Sequence, residues 1–468
     1  MIFGKGSFGP FTGDRQAGGS VNTLFMPGNL RHLASRLVAG GFRRNVAILT
    51  VATASSQAIL VLASPILTRL FTSADFGYLQ VYLSTCVFFY VIIALRYEAA
   101  ILLPSDDDTA VNLVALSLGA TLLMSILSCG VIAVMLRSAA WSTPGQSLGA
   151  YLWIIPVSAF GTGVYQTLNS WALRRKRFRD VAATKLTQTA GSVGAQLVLG
   201  FLHAGLIGLL VGDVLGRSSG NVRLARTAWR EDRSLLAQVS LRRMWSVAVR
   251  YRQFPLVSVT STLVNTAGFA LPSLLIAAFY GPVILGWFAL AARVIQAPAM
   301  LIGAAISQVY MVSATRLLHE DAAGLKPLFL RIGKSLLLIS VCPTLLVICL
   351  GRTLFAHAFG EPWREAGLYA GLLAPMATIG LTVWPLTPTL TILECQLTQL
   401  KWDIGRALGT VGGLYAAHAL SWSARAAVLT YSVTMAIAYA LYVYLSCRAI
   451  SRYASGPREP AIALAVEE

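Results

Sequence analysis

Arg293 is the one charged residue in the apolar run Gly286–Tyr310, GWFALAARVIQAPAMLIGAAISQVY. A charge held at the middle of a bilayer costs about 2.5–3.5 kcal/mol on insertion scales, so such side chains face protein or a water-filled cavity. Arg293 lies about ten residues into its span, near mid-membrane at 1.5 Å per residue, where snorkelling reaches neither surface easily. A guanidinium in a low-dielectric site makes paired, charge-assisted hydrogen bonds to phosphate or carboxylate. The chemistry expected of Arg293, with Gln296 beside it, is therefore capture of an anionic ligand. The structural alternative is a buried ion pair with Asp213, which also lies near mid-membrane. Arg217, four residues after Asp213, offers that carboxylate a closer partner on its own helix.

Polar residues recur at helical spacing in three further runs: Thr50, Thr53, Gln57, Ser64 and Thr68; Lys185, Gln188, Ser192 and Gln196; Ser258, Ser261 or Thr262, and Asn265. Each set falls on one helix face. One reading is interhelical glue, common for small polar residues in membranes. Stripes in both halves of the chain together with a central charge point instead to a hydrated cleft whose candidate lining includes Gln57, Lys185 and Asn265. Arg96 and Glu98, in ALRYEAAILLPSDDD, are placed at the mouth of the second span, facing a headgroup or each other. The acidic run Asp106–Asp108 resembles metal-binding clusters but reads as a solvated loop. The sequence has no GxxxxGK[ST] phosphate loop and no H-x-x-x-H or H-E-x-x-H pair, so neither direct ATP use nor metal chemistry is indicated. No catalytic or metal-ligating residue is assigned.

These residues need helices to carry them across a bilayer. The 468-residue chain is 56% hydrophobic and 12% charged, about half the charge of an ordinary globular protein. Apolar runs of spanning length occur at 45–67, 77–96, 110–136, 149–171, 182–202, 205–222, 254–280, 284–311, 330–351, 366–389, 403–420 and 424–447. The expected fold is an all-α polytopic membrane protein of about twelve transmembrane helices in two pseudo-symmetric six-helix lobes around a central cavity. Of the 37 Lys and Arg, 31 fall in one set of alternating gaps; only Arg69, Arg137, Arg352, Arg364 and Arg425 fall in the other. By the positive-inside rule both termini are cytoplasmic. The formal charge of +18 is then a topology signal with some attraction to anionic lipids, and no nucleic acid is implied. The expected organisation is a basic cytoplasmic tail (1–44), an N-lobe (45–222), a basic linker (223–252), a C-lobe (253–447) and a cytoplasmic tail (448–468). Residues Leu30–Phe42 could form a short amphipathic surface helix. The six cysteines, without a C-x-x-C pair, read as small buried hydrophobes.

In this order the segments SPILTRLFTSADFG (64–77), LRYEAAILLP (95–104), FPLVSVTSTLVNTAGFALPSLLIAAFYG (254–281), GWFALAARVIQAPAMLIGAAISQVY (286–310) and FGEPWREAGLYAGLLAPM (359–376) resemble the Wzx-like oligosaccharide-lipid flippases of the polysaccharide transporter group, within the MATE/MOP superfamily. The resemblance covers residues 45 to about 410. It implies two lobes forming a V and alternating between inward and outward openings. The cargo it implies is an undecaprenyl pyrophosphate-linked sugar repeat unit crossing the bacterial inner membrane for O-antigen, exopolysaccharide or capsule. Arg293 in LAARVIQAP then matches a cavity arginine of related lipid II flippases, and Arg69 and Arg96 match arginines of the LTRL and LRYE motifs. No cofactor is implied beyond H+ or Na+ as a coupling ion, with Asp213 or Glu98 as groups that could titrate. Implied partners are the lipid-linked oligosaccharide, membrane lipids, and a polysaccharide polymerase with chain-length or export proteins. Competing readings are a membrane-embedded polymerase or acyltransferase, an ion-coupled multidrug exporter of the same fold, and a non-transporting scaffold.

Overall fold

The computed structural model describes residues 40–137, 149–320 and 322–455. Among the described residues there is no strand, and twelve helices are twenty residues or longer: α1 Gly40–Leu70, α2 Ser73–Ile92, α3 Asp107–Arg137, α4 Ile154–Arg174, α5 Phe178–Phe201, α6 Leu206–Glu231, α7 Val259–Tyr280, α8 Pro282–Glu320, α9 Leu325–Phe359, α10 Arg364–Val383, α11 Gln396–Ala419 and α12 Ala424–Ser455. They correspond one for one to the twelve apolar runs. Seven segments are long and apolar enough to cross a membrane by length and composition, and the chain is a multi-pass membrane protein. Residues 44–468 form one compact unit. Of residues 1–43 only 40–43, which are helical, are described. The surface helix expected over 30–42 therefore lies mostly outside the described residues.

Local sequence explains the tight turns. Between α1 and α2, Thr72 and Asp75 form a reciprocal capping box: the Asp75 amide donates to Thr72 Oγ1 at 3.2 Å and the Thr72 amide to Asp75 Oδ2 at 2.9 Å. This satisfies amide groups that a helix start leaves open. Helices α5 and α11 are both entered through a left-handed residue, Lys176 and Glu394, and both left through another, His203 and Ser421. The interval from 176 to 203 equals that from 394 to 421, so the two helices occupy the same register in an internal repeat.

The first and second halves meet mainly where α2 packs against α7 and α8. At the end of the bundle where α2 and α8 begin, this contact is a seal. Gly77 lies against the Pro282 carbonyl and Gly286 against the Ser73 carbonyl, so close that a Cβ at either position would overlap backbone. Buried Trp363 donates from Nε1 to Thr68 O at 2.9 Å and meets Phe76 edge-on with ring centroids 5.0 Å apart. Trp287 Nε1 reaches Pro362 O at 3.2 Å.

At the opposite, linker end, the basic segments do more than set topology. Asp232, 1% exposed, accepts a hydrogen bond from Trp171 Nε1 at 2.9 Å and pairs with Arg177 at 2.8 Å and Arg175 at 3.1 Å. Arg174 ties down the turn before α3 through the carbonyls of Ile101, Pro104 and Asp106 and the Asp107 carboxylate. The acidic run 106–108 is therefore not a free loop. Asp106 accepts from the Thr109 amide at 2.7 Å, Asp107 pairs with Arg174 and Arg175, and Asp108 faces Arg243. The Thr109 bond holds the Asp106 carboxyl below the usual range. A short helix, Leu241–Arg250, continues the linker and leaves Leu241 and Trp245 exposed on one face. All six cysteines are free, but only Cys86 is fully buried; Cys342 and Cys349 point outward from α9 among other exposed apolar residues.

Candidate functional site

Below the seal lies a cavity of about 440 Å³ lined by Gln80, Ser84 and Tyr90 of α2, Gln166 of α4, Asn265, Thr266 and Phe269 of α7, and Arg96. It runs along most of α2, from one turn past Gly77 to the break that follows the helix. Its walls offer amide and hydroxyl groups, with one cation at the linker end.

Arg293 stands on α8, the helix that forms the seal with α2. A helical side chain leans toward the N-terminus of its helix, so the guanidinium reaches back to the first turn of α2. There its Cζ is 5.9 Å from the centre of the Phe76 ring, within range of a cation–π contact. It is half-buried and, among the described residues, has neither an ion pair nor a hydrogen bond. The Asp213 carboxylate belongs to Arg217, whose Nε lies 2.7 Å from Oδ2. Arg217 also covers the face of Tyr90 at 5.0 Å, and the Tyr90 hydroxyl bonds Ser158 at 2.7 Å. The local pair thus claims Asp213, which reaches Arg293 only as a longer-range attraction, and Arg293 has no direct ion-pair partner among the described residues.

Arg96 and Glu98 meet, Nη1 to Oε1, at 3.3 Å. Leu95 and Arg96 both have left-handed backbone, φ 51° and 62°, a conformation costing about 1–2 kcal/mol per non-glycine residue. Glu98 is 7% exposed, and its Oε2 has no hydrogen-bond partner among the described residues. Burial raises the Glu98 pKa, against the opposing pull of Arg96. A carboxyl raised on folding contributes stability that is full below its unfolded value, about 4.3, and is lost as pH rises through the folded value. Glu98→Gln is expected to flatten the fall in thermal stability that the wild type shows as pH rises from that point. Equal slopes in the two proteins would remove Glu98 as the group responsible.

The other expected residues are dispersed. Lys185 Nζ donates to Thr53 Oγ1 at 3.0 Å, joining α5 to α1. Gln57 and Gln296 are half-buried, with no hydrogen bond among the described residues, and Arg69 is exposed at the end of α1. The α5 stripe is glue: Gln188 donates to Arg217 O at 2.8 Å and Gln196 to Leu209 O at 3.2 Å, both on α6. Thr53, Ser64 and Thr262 bond back to carbonyls four residues earlier, leaving little polar capacity for a ligand. Asn265 and Arg96 are the expected residues that share the cavity, while Gln80, Tyr90 and Gln166 gave no periodic signal. Arg406, counted in the sequence with a loop beside Lys401, sits buried within α11, which begins seven residues earlier than its apolar run.

A sequence profile of the family described as polysaccharide biosynthesis protein matches residues 66–367, well over half of the chain. The chain belongs to the polysaccharide biosynthesis protein family. Its fold is that of MATE/MOP transporters. The lipid II flippase MurJ in an inward closed conformation superposes with a TM-score of 0.66 at 12% identity, covering 87% of this chain and 90% of that one. An inward-facing multidrug resistance MATE transporter gives 0.64 at 14% identity, covering 85% and 95%. An outward-facing one gives 0.54 at 12%, covering 88% and 96%. No curated protein matches the chain. Within the family's span lie the seal, Arg293 and the whole lining of the cavity. The expected fold class holds, and the solved structures that share it are membrane transporters and a flippase.

Proposed function

We propose that this polysaccharide biosynthesis protein is a flippase for an anionic lipid-linked oligosaccharide, an undecaprenyl pyrophosphate-linked repeat unit destined for surface polysaccharide. The observation that carries the reading is Arg293: a half-buried guanidinium with neither ion pair nor hydrogen bond among the described residues, beside a seal between the halves and near a cavity walled by amide and hydroxyl groups with Arg96 at its linker end. A half-buried charge without a direct partner is costly unless an anion uses it. The sugars would meet the Gln80, Gln166 and Asn265 amides while the prenyl tail stays in lipid.

Two six-helix lobes, 45–222 and 253–447, would exchange the seal at one end for a seal at the other. The Lys and Arg bias supports an orientation in which the linker end faces the cytoplasm of a bacterial inner membrane. The cavity would then load from the leaflet where lipid-linked sugars are built, and deliver to a polymerase with chain-length and export proteins outside. For coupling to H+ or Na+, Glu98 is the stronger candidate, since Arg217 holds Asp213 at 2.7 Å while Glu98 keeps one buried oxygen without a hydrogen-bond partner among the described residues. The free charge near the cavity is positive, which disfavours export of organic cations.

The reading is tested in proteoliposomes carrying a fluorescent polyprenyl diphosphate oligosaccharide in both leaflets. Protein-containing vesicles are expected to let an impermeant quencher bleach the inner pool, at a rate that unlabelled lipid-linked oligosaccharide slows and a lipophilic cation leaves unchanged. Bleaching no faster than in protein-free vesicles would overturn it.

A further inference from the structure

Arg406 of α11 is 3% exposed, and among the described residues only Nη2 of its guanidinium has a hydrogen-bond partner, Asp403 Oδ1 at 3.3 Å. Nε and Nη1 are buried with no hydrogen-bond partner among the described residues. Leaving such a donor unmade is costly, and a guanidinium kept for packing usually has its donors filled. The internal repeat sharpens the contrast. By the left-handed residues that bracket α5 and α11, Arg406 stands where the first half has Gln188, and Gln188 is satisfied by the Arg217 carbonyl. The second half has put a charge at this position and supplied one acceptor for it, Asp403, leaving Nε and Nη1 unfilled.

Two aromatic rings cover it. The Cζ lies 4.0 Å from the centre of Phe269 and 5.3 Å from that of Trp402. Trp402 is fixed by its own hydrogen bond, Nε1 to Ala438 O at 2.7 Å. Phe269 is held by no such bond, is 53% exposed, and lines the cavity. Beside it, Gly268 lets the guanidinium lie against α7, where an added Cβ would be 3.1 Å from Nη2. One ring therefore both covers Arg406 and forms the cavity wall.

We propose that Arg406 is a concealed second cationic contact for the phosphate end of the cargo, uncovered when Phe269 swings off its face. The assignment rests on the anionic-cargo reading above. With the ring aside, Nε and Nη1 supply three N–H donors from α11 to complement Arg293 on α8. With the ring in place, the cation–π contact shields the charge from adventitious anions in an empty cavity.

The test uses the purified full-length protein, geranylgeranyl diphosphate as probe, and an arginine-selective dicarbonyl reagent whose adducts are mapped by mass spectrometry. Exposed Arg69 serves as the reference site. Arg406 is expected to react slowly in the wild type and about tenfold faster in Phe269→Ala and Phe269→Leu, and the probe should restore protection. Arg406→Gln, with Phe269 intact, is expected to weaken probe binding about tenfold, as for loss of one charge-assisted hydrogen bond. An Arg406 that stays unreactive in both Phe269 variants overturns the assignment, as does one that reacts but is unprotected by a probe shown to bind through Arg293. If the probe binds no form of the protein, the anionic-cargo reading fails and this assignment falls with it.

Discussion

Arg293→Ala, expressed at wild-type membrane levels in a strain lacking its own flippase, is expected to lose surface polysaccharide and to accumulate lipid-linked repeat units in the cytoplasmic leaflet. A hydrogen bond to a charged group contributes about 1.5–3 kcal/mol, so losing a paired set weakens cargo binding on the order of a hundredfold or more. Arg293→Lys should recover only part of this, since an ammonium keeps the charge but not the planar fork that grips two oxygens at once. Stability should barely change in either variant. Arg293 gives up only its contact with Phe76, about 0.5–1 kcal/mol, and leaves no carboxylate stranded. Arg217→Ala is the useful contrast, because it strips the half-buried Asp213 of its partner, and breaking such a pair costs about 3–5 kcal/mol where burial is deep. Normal polymer and no precursor accumulation in Arg293→Ala would remove this arginine from the transport path.

The contrast between these arginines also shows what a sequence discloses about a membrane protein. Spans were legible because lipid demands long apolar runs, and Arg293 was legible because it is the one charge in its apolar run. Arg406 was hidden by the same logic. An apolar window opens near residue 403, which puts Arg406 at a helix margin, whereas α11 starts at Gln396 and carries it inside. The overrun of α8 to Glu320 went unseen for a similar reason, since a helix leaving the bilayer can continue on polar residues. Spacing placed Gln188 and Gln196 on one face but could not tell whether that face met a cavity or the α6 carbonyls it bonds. The cavity wall itself comes from isolated residues on three helices, Gln80, Gln166 and Asn265, which only tertiary packing brings together.

The seal yields the second large effect. Gly77 and Gly286 each pass the other half's backbone with no room for a Cβ, so valine at either position should oppose approach of α2 and α8 without touching the cavity. Overpacking costs about 1–3 kcal/mol, which multiplies the ratio of open to closed seal by roughly 5 to 150. A carrier that must close this end in every cycle would slow accordingly. Spin labels at Arg69 and His357, exposed on opposite halves near this end, should report longer distances in Gly77→Val and in Gly286→Val. The double variant should add little beyond either one, since once the backbones have separated the second methyl pair meets nothing. Because the strain exists only when the seal is shut, thermal stability should fall less than transport does. An unchanged distance distribution with full transport would mean that the cycle never requires this approach, and alternating closure about the α2–α8 contact would have to be abandoned.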